Sequence, residues 1–215
     1  MKIEVLSQKP EYFKEEWPKQ YEIFHWFEFV CGIPHSLFMI STYKENGKPN
    51  ACLHSWSSFS GDGGDFFAVM PGILRHSHTF KNIVRTKEFC INFLSRDYFE
   101  SCRKTVEENS YENDEFALGG FTLEPSKTIQ SPRIKESFLS LECRLEMEKD
   151  LSQKGIASLI IGKVQTIAID ENFSNNLDNR YGEDGFMFNI HQPKNPLNAE
   201  GKFSGIGVID MIKKY

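Results

Sequence analysis

A dense group of polar residues lies at residues 75–83, which read RHSHTFKNI. The apolar spacing that follows predicts a short helix over 78–86, and the first N–H groups of a helix have no acceptor inside it. These groups and the helix dipole attract negative charge. Ser77 and Thr79 would add hydroxyl donors, and Arg75 could hold a phosphate through two parallel hydrogen bonds. The pattern predicts an anion site, although a capped surface helix with solvated charges would use the same residues.

The same segment raises the alternative of a metal site. His76 and His78 are two residues apart, as on one face of a strand, and His54 or His191 would have to supply a third ligand. Metal sites of this kind usually show more ligands at fixed spacing, and the five scattered cysteines supply no ligand pair. We therefore favour an anion and expect no metal.

A second stretch, NACLHSWSSFSGD at residues 50–62, places small and polar residues at the end of a predicted strand. A planar heterocycle needs exposed backbone N–H and C=O groups along one edge and little side-chain bulk nearby. The Ser- and Ala-rich stretch around Trp56 offers both. The alternative is a hairpin strand that enters a loop, with Trp56 in the core.

Composition narrows the class of protein. The chain has 215 residues, 40% of them hydrophobic, which is enough for one sizeable core or at most two small ones. A net charge of −5 argues against a general nucleic-acid binder. We read no apolar run long enough to span a membrane and no signal peptide. Five scattered cysteines without a CxxC motif indicate a reduced, cytoplasmic protein.

The elements that must position these residues are mainly β-strands. Period-two and apolar runs predict strands over 34–43, 51–59, 66–70, 88–94, 137–150 and 156–169. KENGKPN predicts a hairpin, and Pro71-Gly72 a turn. In the strand over 137–150, the alternation of apolar and polar residues predicts one face in water, with Glu142 on it.

Helices are fewer. One is predicted from Pro18 to Val30, and the segment 95–120 should be helical in two pieces, with Ser95 and Ser110 as caps and a stop at Gly119-Gly120. The tail from Asn172 should be mostly loop. These elements predict a mainly β fold with helices (α+β), an antiparallel barrel with helices packed outside. We expect one domain over 1–215, with an N-terminal helical extension (1–30) and a loop-rich C-terminal tail (172–215).

Three stretches in order carry a resemblance to a known family. LFMISTYKENGKPNACLHSWSSFSGD (37–62) contains N-A-x-x-x-S-W, RHSHTFKNIVRTKEFCINF (75–93) has a basic-x-S-x-T-x-x-N-I pattern, and SPRIKESFLSLECRLE (131–146) contains E-S-x-x-x-L-E-C. Together they resemble the flavin reductase-like family, the FMN-binding split barrels that include flavoredoxin. The resemblance spans roughly residues 15–170.

The resemblance implies a six-stranded antiparallel split β-barrel of Greek-key type, a homodimer, and FMN near the dimer interface. It implies that the ring and ribityl chain lie along Asn50, Ser55, Trp56 and Ser57. It also implies that the phosphate is held by Arg75, Ser77, Thr79 and Asn82, with His76 and His78 near it. The chain departs from many relatives in lacking Pro-Pro after the flavin loop and in having His54 before Ser-Trp.

Two residues near the implied ring have an open role. His54 would donate a hydrogen bond to the flavin, block one face, or be a satisfied neutral imidazole. Cys52 would face the flavin or be a small buried hydrophobe.

The function implied is an FMN-dependent oxidoreductase that passes electrons from NAD(P)H through FMN to an unknown acceptor. The alternative is an FMN-holding electron-transfer protein reduced by a protein partner; a third reading is a split barrel for another phosphate-bearing ligand. Because no GxGxxG motif follows a strand, NAD(P)H should bind only transiently. The chemistry belongs to the cofactor, so no catalytic side chain is named. The aromatic stretch at 185–193 is hypothesised to close over the site.

Overall fold

The computed structural model describes the chain except residues 3, 6, 7, 108, 191–193, 197, 199, 202–204, 214 and 215. Its strands are β1 (His35–Tyr43), β2 (Pro49–His54), β3 (Ser58–Gly61), β4 (Phe66–Leu74), β5 (Glu88–Phe93), β6 (Leu123–Glu124), β7 (Arg133–Ile134), β8 (Leu139–Lys149), β9 (Ala157–Ile169), β10 (Met187–Ile190) and β11 (Gly205–Gly207). The helices are α1 (Gln20–Ile23), α2 (Phe27–Cys31), α3 (His78–Thr86), α4 (Phe99–Glu107), α5 (Glu115–Gly119) and α6 (Glu171–Ser174), with 3-10 turns at Arg96–Tyr98 and Leu177–Arg180.

One antiparallel sheet dominates the described chain. Its strand order is β11-β10-β1-β5-β8-β9-β4-β3, and β2 lies off this path and pairs with β1 over residues 38–43. Strands β2 and β3 follow each other along the chain, so residues 55–57 link the two ends of the series β2-β1-β5-β8-β9-β4-β3. The predicted mainly β, antiparallel class with helices is confirmed, whereas the count of six barrel strands stays a prediction.

Strand β1 is buried on both faces, which explains its apolar run LFMI. Phe38 and Ile40 belong to an inner core between β1, β4, β5, β8 and β9, which α3 closes with Phe80 and Ile83. Successive residues of a strand point to opposite faces, so Leu37 and Met39 belong to a second, outer core. The outer core also contains Ala51, Cys102, Phe116, Ile134 and Met187.

Helix α3 lies where the sequence predicts it, at His78–Thr86. Ser77 is its N-cap, with extended backbone angles and a side chain that accepts a hydrogen bond from the N–H of Phe80. The helix ends at Lys87, whose φ of 61° lies in the left-handed region. The two helical pieces within 95–120 and their stop at Gly120 are also confirmed.

The predicted helix from Pro18 to Val30 is wrong. Two short helices occupy this range, and Phe24 between them is extended, with φ −108° and ψ 143°. The apolar spacing misled because the apolar residues do not share one buried face: Trp26 is buried, but Phe27 and Val30 are each 38% exposed.

Three smaller predictions also fail. Pro71 and Gly72 do not turn the chain but form an irregularity inside β4, where Gly72 has φ +81°. Ser110 does not cap α5; the carboxylate of Asp114 accepts from the N–H of Ala117 instead. Ser95 occupies the position before the 3-10 turn without a capping side-chain hydrogen bond.

Glu142 is buried, although the alternation of the strand predicts a solvent-exposed position. Its carboxylate accepts from the N–H groups of Lys127 and Thr128, the hydroxyl of Thr128, and Nε of Arg133 at 2.6–3.0 Å. Burial alone would raise the pKa of Glu142, but these bonds and the Arg133 charge lower it below its usual value. The tail contains more structure than predicted, because β10 and β11 extend the sheet beyond β1.

Candidate functional site

The N-terminus of α3 is built by Ser77. The Ser77 hydroxyl donates to the carbonyl of Leu74 at 2.7 Å and accepts from Phe80 N–H at 3.1 Å, while Lys81 N–H bonds the Ser77 carbonyl. The backbone N–H groups of His78 and Thr79 lie at the start of the helix, ahead of Phe80 and Lys81. No carbonyl of the helix is therefore placed to accept from them. The sequence thus forms the helix terminus on which the predicted anion site depends.

Strand β2 packs against this terminus. The Asn50 amide donates to the Thr79 hydroxyl at 3.0 Å, and both residues are buried. Cys52 lies two residues further along β2, and burial raises the pKa of its thiol to about 11, against a smaller lowering by Thr79. Asn82, one turn into α3, donates to the Thr42 hydroxyl at 3.0 Å. The structure therefore brings Asn50, Cys52 and Thr79 together, and it places a protonated thiol there.

The two histidines of the segment differ. His76 is exposed, whereas His78 lies edge-on to the ring of Tyr111, with centroids 5.4 Å apart. Burial and the charges of Lys44 and Lys81 lower the pKa of His78, which favours its neutral form. Its Nδ1 is buried without a hydrogen-bond partner among the described atoms.

Arg75 does not join the group around Thr79. Its guanidinium is half-buried, contacts Glu148 at 2.5 Å and Ser158 at 2.7 Å, and lies over the Phe80 ring at 5.0 Å. The predicted phosphate contact of Arg75 would therefore have to compete with the Glu148 carboxylate.

The loop between β2 and β3 is stabilised in part by a hydrogen bond within the loop. Residues 55–57 lie outside the strand ladders. The Ser57 hydroxyl donates to the Ser55 carbonyl at 3.1 Å, and the Ser55 hydroxyl accepts from the Asn189 amide at 3.3 Å. Because residues 55–57 lie outside the ladders, their backbone N–H groups take no part in strand pairing.

His54, the last residue of β2, supports the loop through a side-chain hydrogen bond. Its Nε2 lies 3.0 Å from the carbonyl of Trp56, so the ring nitrogen must donate. Burial lowers the pKa of His54 to about 4, although the carbonyls of Trp56 and Pro71 oppose this effect. The geometry favours the satisfied, neutral imidazole among the alternatives for this residue.

A cavity of about 490 Å³ adjoins this loop. It is lined by Phe24, Leu37, Leu53, His54, Ser55, Trp56, Phe99, Glu100, Arg103, Val106, Asn189, Lys194, Asn195, Pro196 and Ile206. The Trp56 ring is stacked on Phe24 with centroids 5.3 Å apart and an interplanar angle of 22°. Sequence reasoning missed Phe24 and Phe99, because no local pattern marks residues that meet only through the fold. Asn189 belongs to the stretch 185–193 that is hypothesised to close over the site, and residues 191–193 of that stretch lie outside the described residues.

Residues 30–185 match the family model of the flavin reductase like domain. The chain belongs to this family. An uncharacterised protein of Aquifex aeolicus is 36% identical over 159 residues, covering 71% of this chain and 81% of the relative.

Solved structures agree with the fold. Nitrilotriacetate monooxygenase component B from Bacillus cereus is similar with a TM-score of 0.72 at 15% identity, covering 100% of both chains. Flavoredoxin of Desulfovibrio vulgaris is similar with a TM-score of 0.65 at 16% identity, covering 85% of this chain and 90% of that one. The split-barrel fold class is confirmed, and family membership supports a flavin oxidoreductase in general terms.

The residues at the α3 terminus fit the phosphate of a flavin nucleotide. The α3 terminus offers free N–H groups, the hydroxyls of Ser77 and Thr79 lie beside it, and His78 has an unpartnered buried nitrogen. Over the described part of the chain, no group of three His, Cys, Asp or Glu side chains could hold a metal. His191 lies outside the described residues. No described helix is long and apolar enough to cross a membrane.

Proposed function

We propose that this protein binds FMN and passes electrons from NAD(P)H to an acceptor. The observation that carries the proposal is the contact of the α3 terminus with β2, the strand that leads into the 55–57 loop. A phosphate at the helix terminus and a planar ring at the loop would then be connected along β2. FMN supplies the hydride and electron chemistry, and the chain supplies binding and orientation.

The phosphate would be held by the N–H groups of His78 and Thr79 and by the hydroxyls of Ser77 and Thr79. Thr79 already accepts from Asn50, so its hydroxyl proton remains available to donate to an anion. His78 is favoured in its neutral form, and it would donate one hydrogen bond rather than a charge. We propose that Asn82 acts indirectly, by holding α3 to β1 through Thr42.

The ring would lie along Cys52, Ser55, Trp56 and Ser57. In this arrangement His54 fixes the Trp56 carbonyl, so the loop keeps its shape before the ligand arrives. Because the Cys52 thiol stays protonated at neutral pH, we assign it a packing role beside the ring.

The remaining parts of the proposal rest on the resemblance and the composition. They are a single domain over 1–215, a homodimer with the site near its interface, transient binding of NAD(P)H, and a cytoplasmic location. All five cysteines are free, which supports a reducing location.

A matched pair of threonine variants tests FMN binding. Thr79→Val removes the hydroxyl at the first turn of α3, and Thr86→Val removes one at the last turn of the same helix. A charge-assisted hydrogen bond is worth about 1.5–3 kcal/mol, so Thr79→Val is expected to weaken FMN binding about 10- to 100-fold. Thr86→Val should leave it unchanged. Absorbance spectra before and after FMN incubation and desalting, followed by titration, provide the measurement.

Equal FMN affinities of the two variants would mean that the α3 terminus does not bind the phosphate. A protein that takes up no FMN at all would overturn the proposed function. Adding NADH or NADPH to the FMN-loaded protein without oxygen then tests the electron source: bleaching supports a nicotinamide-dependent enzyme, and unchanged colour supports a carrier reduced by a protein partner.

A further inference from the structure

Residues 110–113, which precede α5, form a loop that lies against the first residue of α3; we call it the Tyr111 loop. The ring of Tyr111 meets the imidazole of His78 edge-on, with centroids 5.4 Å apart. At the next residue of the helix, Thr79, the contact comes from Asn50 of β2. The α3 terminus is therefore flanked by β2 at Thr79 and by the Tyr111 loop at His78.

The buried ammonium of Lys44 holds this loop in place. Lys44 directly follows β1 and is 2% exposed. Its Nζ donates to the carbonyls of Ser110, Tyr111 and Asn113 at 2.8–3.3 Å, and it pairs with the Glu115 carboxylate at 2.7 Å. A buried ammonium that loses its acceptors carries a large desolvation cost. The loop therefore cannot swing away from Lys44 without that cost.

The hairpin between β1 and β2 ties the loop to the rest of the site. The N–H of Lys44 donates to the carbonyl of Lys48 at 2.9 Å across this hairpin. The ammonium of Lys48 donates to the carbonyl of Glu112 in the loop. The same hairpin leads into β2 and Asn50. The spacing between β2 and the Tyr111 loop at the α3 terminus is thus set by the fold before a ligand binds.

This spacing matters for what is attached to a phosphate bound at the α3 terminus. FMN ends at its phosphate, whereas FAD continues through a second phosphate to an adenosine. The Tyr111 ring is 39% exposed, so it forms part of the surface beside His78 rather than part of the core. A group that continues beyond the phosphate on this side would meet a ring whose backbone is fixed by Lys44.

We propose that the Tyr111 loop, held by Lys44, admits a flavin that ends in a phosphate and excludes one that continues beyond it. Tyr111 is then the specificity-determining residue, and Lys44 is the positioning residue that acts through it. The inference rests on the proposed function, because it takes the flavin phosphate to lie at the α3 terminus. It adds the residue that selects between two flavin nucleotides by blocking the larger one.

The test compares the affinities of the full chain, freed of flavin, for FMN and for FAD by fluorescence titration. The wild type should bind FMN at least about tenfold more tightly than FAD. Tyr111→Ala should lower this ratio at least about fivefold, and its affinity for FAD should itself rise. A loss of stability would weaken the binding of both flavins, so it could not produce that rise.

Two controls separate the ring from other effects. Tyr111→Phe keeps the ring and should keep the ratio within about twofold of the wild type. Tyr181→Ala removes a tyrosine of similar exposure, 37%, whose ring contacts Phe186 instead, and it should also keep the ratio. A shift in Tyr111→Phe as large as in Tyr111→Ala would assign the effect to the hydroxyl and overturn the steric role.

The role of Lys44 is tested by Lys44→Met/Glu115→Leu, which releases the loop without leaving a buried charge unpaired. Its ratio of FMN to FAD affinity should fall in the same direction as that of Tyr111→Ala. An unchanged ratio would overturn the positioning role of Lys44.

Three outcomes distinguish this inference from the proposed function. Equal affinities of the wild type for FMN and FAD would overturn the inference and leave flavin binding standing. A parallel loss of both affinities in Tyr111→Ala would do the same, since it would show only that the loop supports the site. A protein that takes up neither flavin would lose the proposed function, and this inference would fall with it.

Discussion

The buried imidazole of His54 makes the stability of this protein depend on pH in a defined window. Its pKa is about 6.5 in an unfolded chain, and burial lowers it to about 4 in the folded protein. Between these values the unfolded chain binds a proton that the folded chain does not. The free energy of unfolding therefore falls as pH falls from about 6.5 to about 4, and the contribution is fully present above pH 6.5.

The size of this effect follows from the difference between the two pKa values. It corresponds to about 3 kcal/mol over the whole window. For a chain of 150–250 residues, 1 kcal/mol shifts the melting temperature by about 2–4 °C. Acidification should therefore lower the melting temperature by roughly 6–12 °C through His54 alone.

The assay compares melting temperatures of the wild type and His54→Gln between pH 7.5 and 4.5, followed by circular dichroism. Glutamine retains an N–H donor for the Trp56 carbonyl and does not titrate. The variant should be less stable at pH 7.5, because the edge contact between His54 and Phe38 is lost. Its melting temperature should fall less on acidification than that of the wild type. His76→Gln, at an exposed position, is the control and should follow the wild type.

Parallel curves for the wild type and His54→Gln would refute this reasoning. Carboxylates that titrate near pH 4.5 contribute to both proteins, so they cancel in the comparison. Parallel curves would mean that the imidazole is protonated in the folded state, and the proposed fixing of the Trp56 carbonyl by a neutral ring would fail with it.

Two buried ion pairs give further predictions. Glu142→Gln is expected to destabilise the fold by about 3–5 kcal/mol, because Arg133 loses its buried partner; urea unfolding measures this, and a loss below about 1 kcal/mol would contradict it. Lys44→Met should cost a similar amount, because Glu115 would remain buried without the Lys44 ammonium, which lies 2.7 Å away. The double variant Lys44→Met/Glu115→Leu should recover part of that loss, whereas an additive further loss would argue against direct coupling.

Sequence reasoning succeeded where local chemistry decides structure. Helix α3 was predictable because Ser77 caps it and its apolar residues share one face. The hairpin between β1 and β2 was predictable from Asn-Gly between two apolar runs. In the candidate site, the proximity of β2 to the α3 terminus was predictable only through the ordered resemblance, and the contact between Asn50 and Thr79 agrees with it.

The failures share a physical cause, which is that tertiary contacts overrule local pattern. Glu142 alternates with apolar residues like a surface residue, but the loop at Lys127 and Thr128 folds over it and supplies donors. The phosphate contact of Arg75 stays a prediction, but the charge of Arg75 is engaged by Glu148, which lies 73 residues away along the chain. The sequence around either residue carries no sign of these partners.

Tertiary contacts also support the loop at residues 55–57. Residues 55–57 lack ladder bonds, so their shape depends on contacts from elsewhere. His54 anchors the Trp56 carbonyl from within β2, Asn189 anchors the Ser55 hydroxyl from β10, and Phe24 covers the Trp56 ring from the N-terminal segment. Two of these three anchors lie outside the matched domain. The shape of this loop therefore depends on segments on both sides of the matched domain, which is why no pattern within residues 50–62 could predict it.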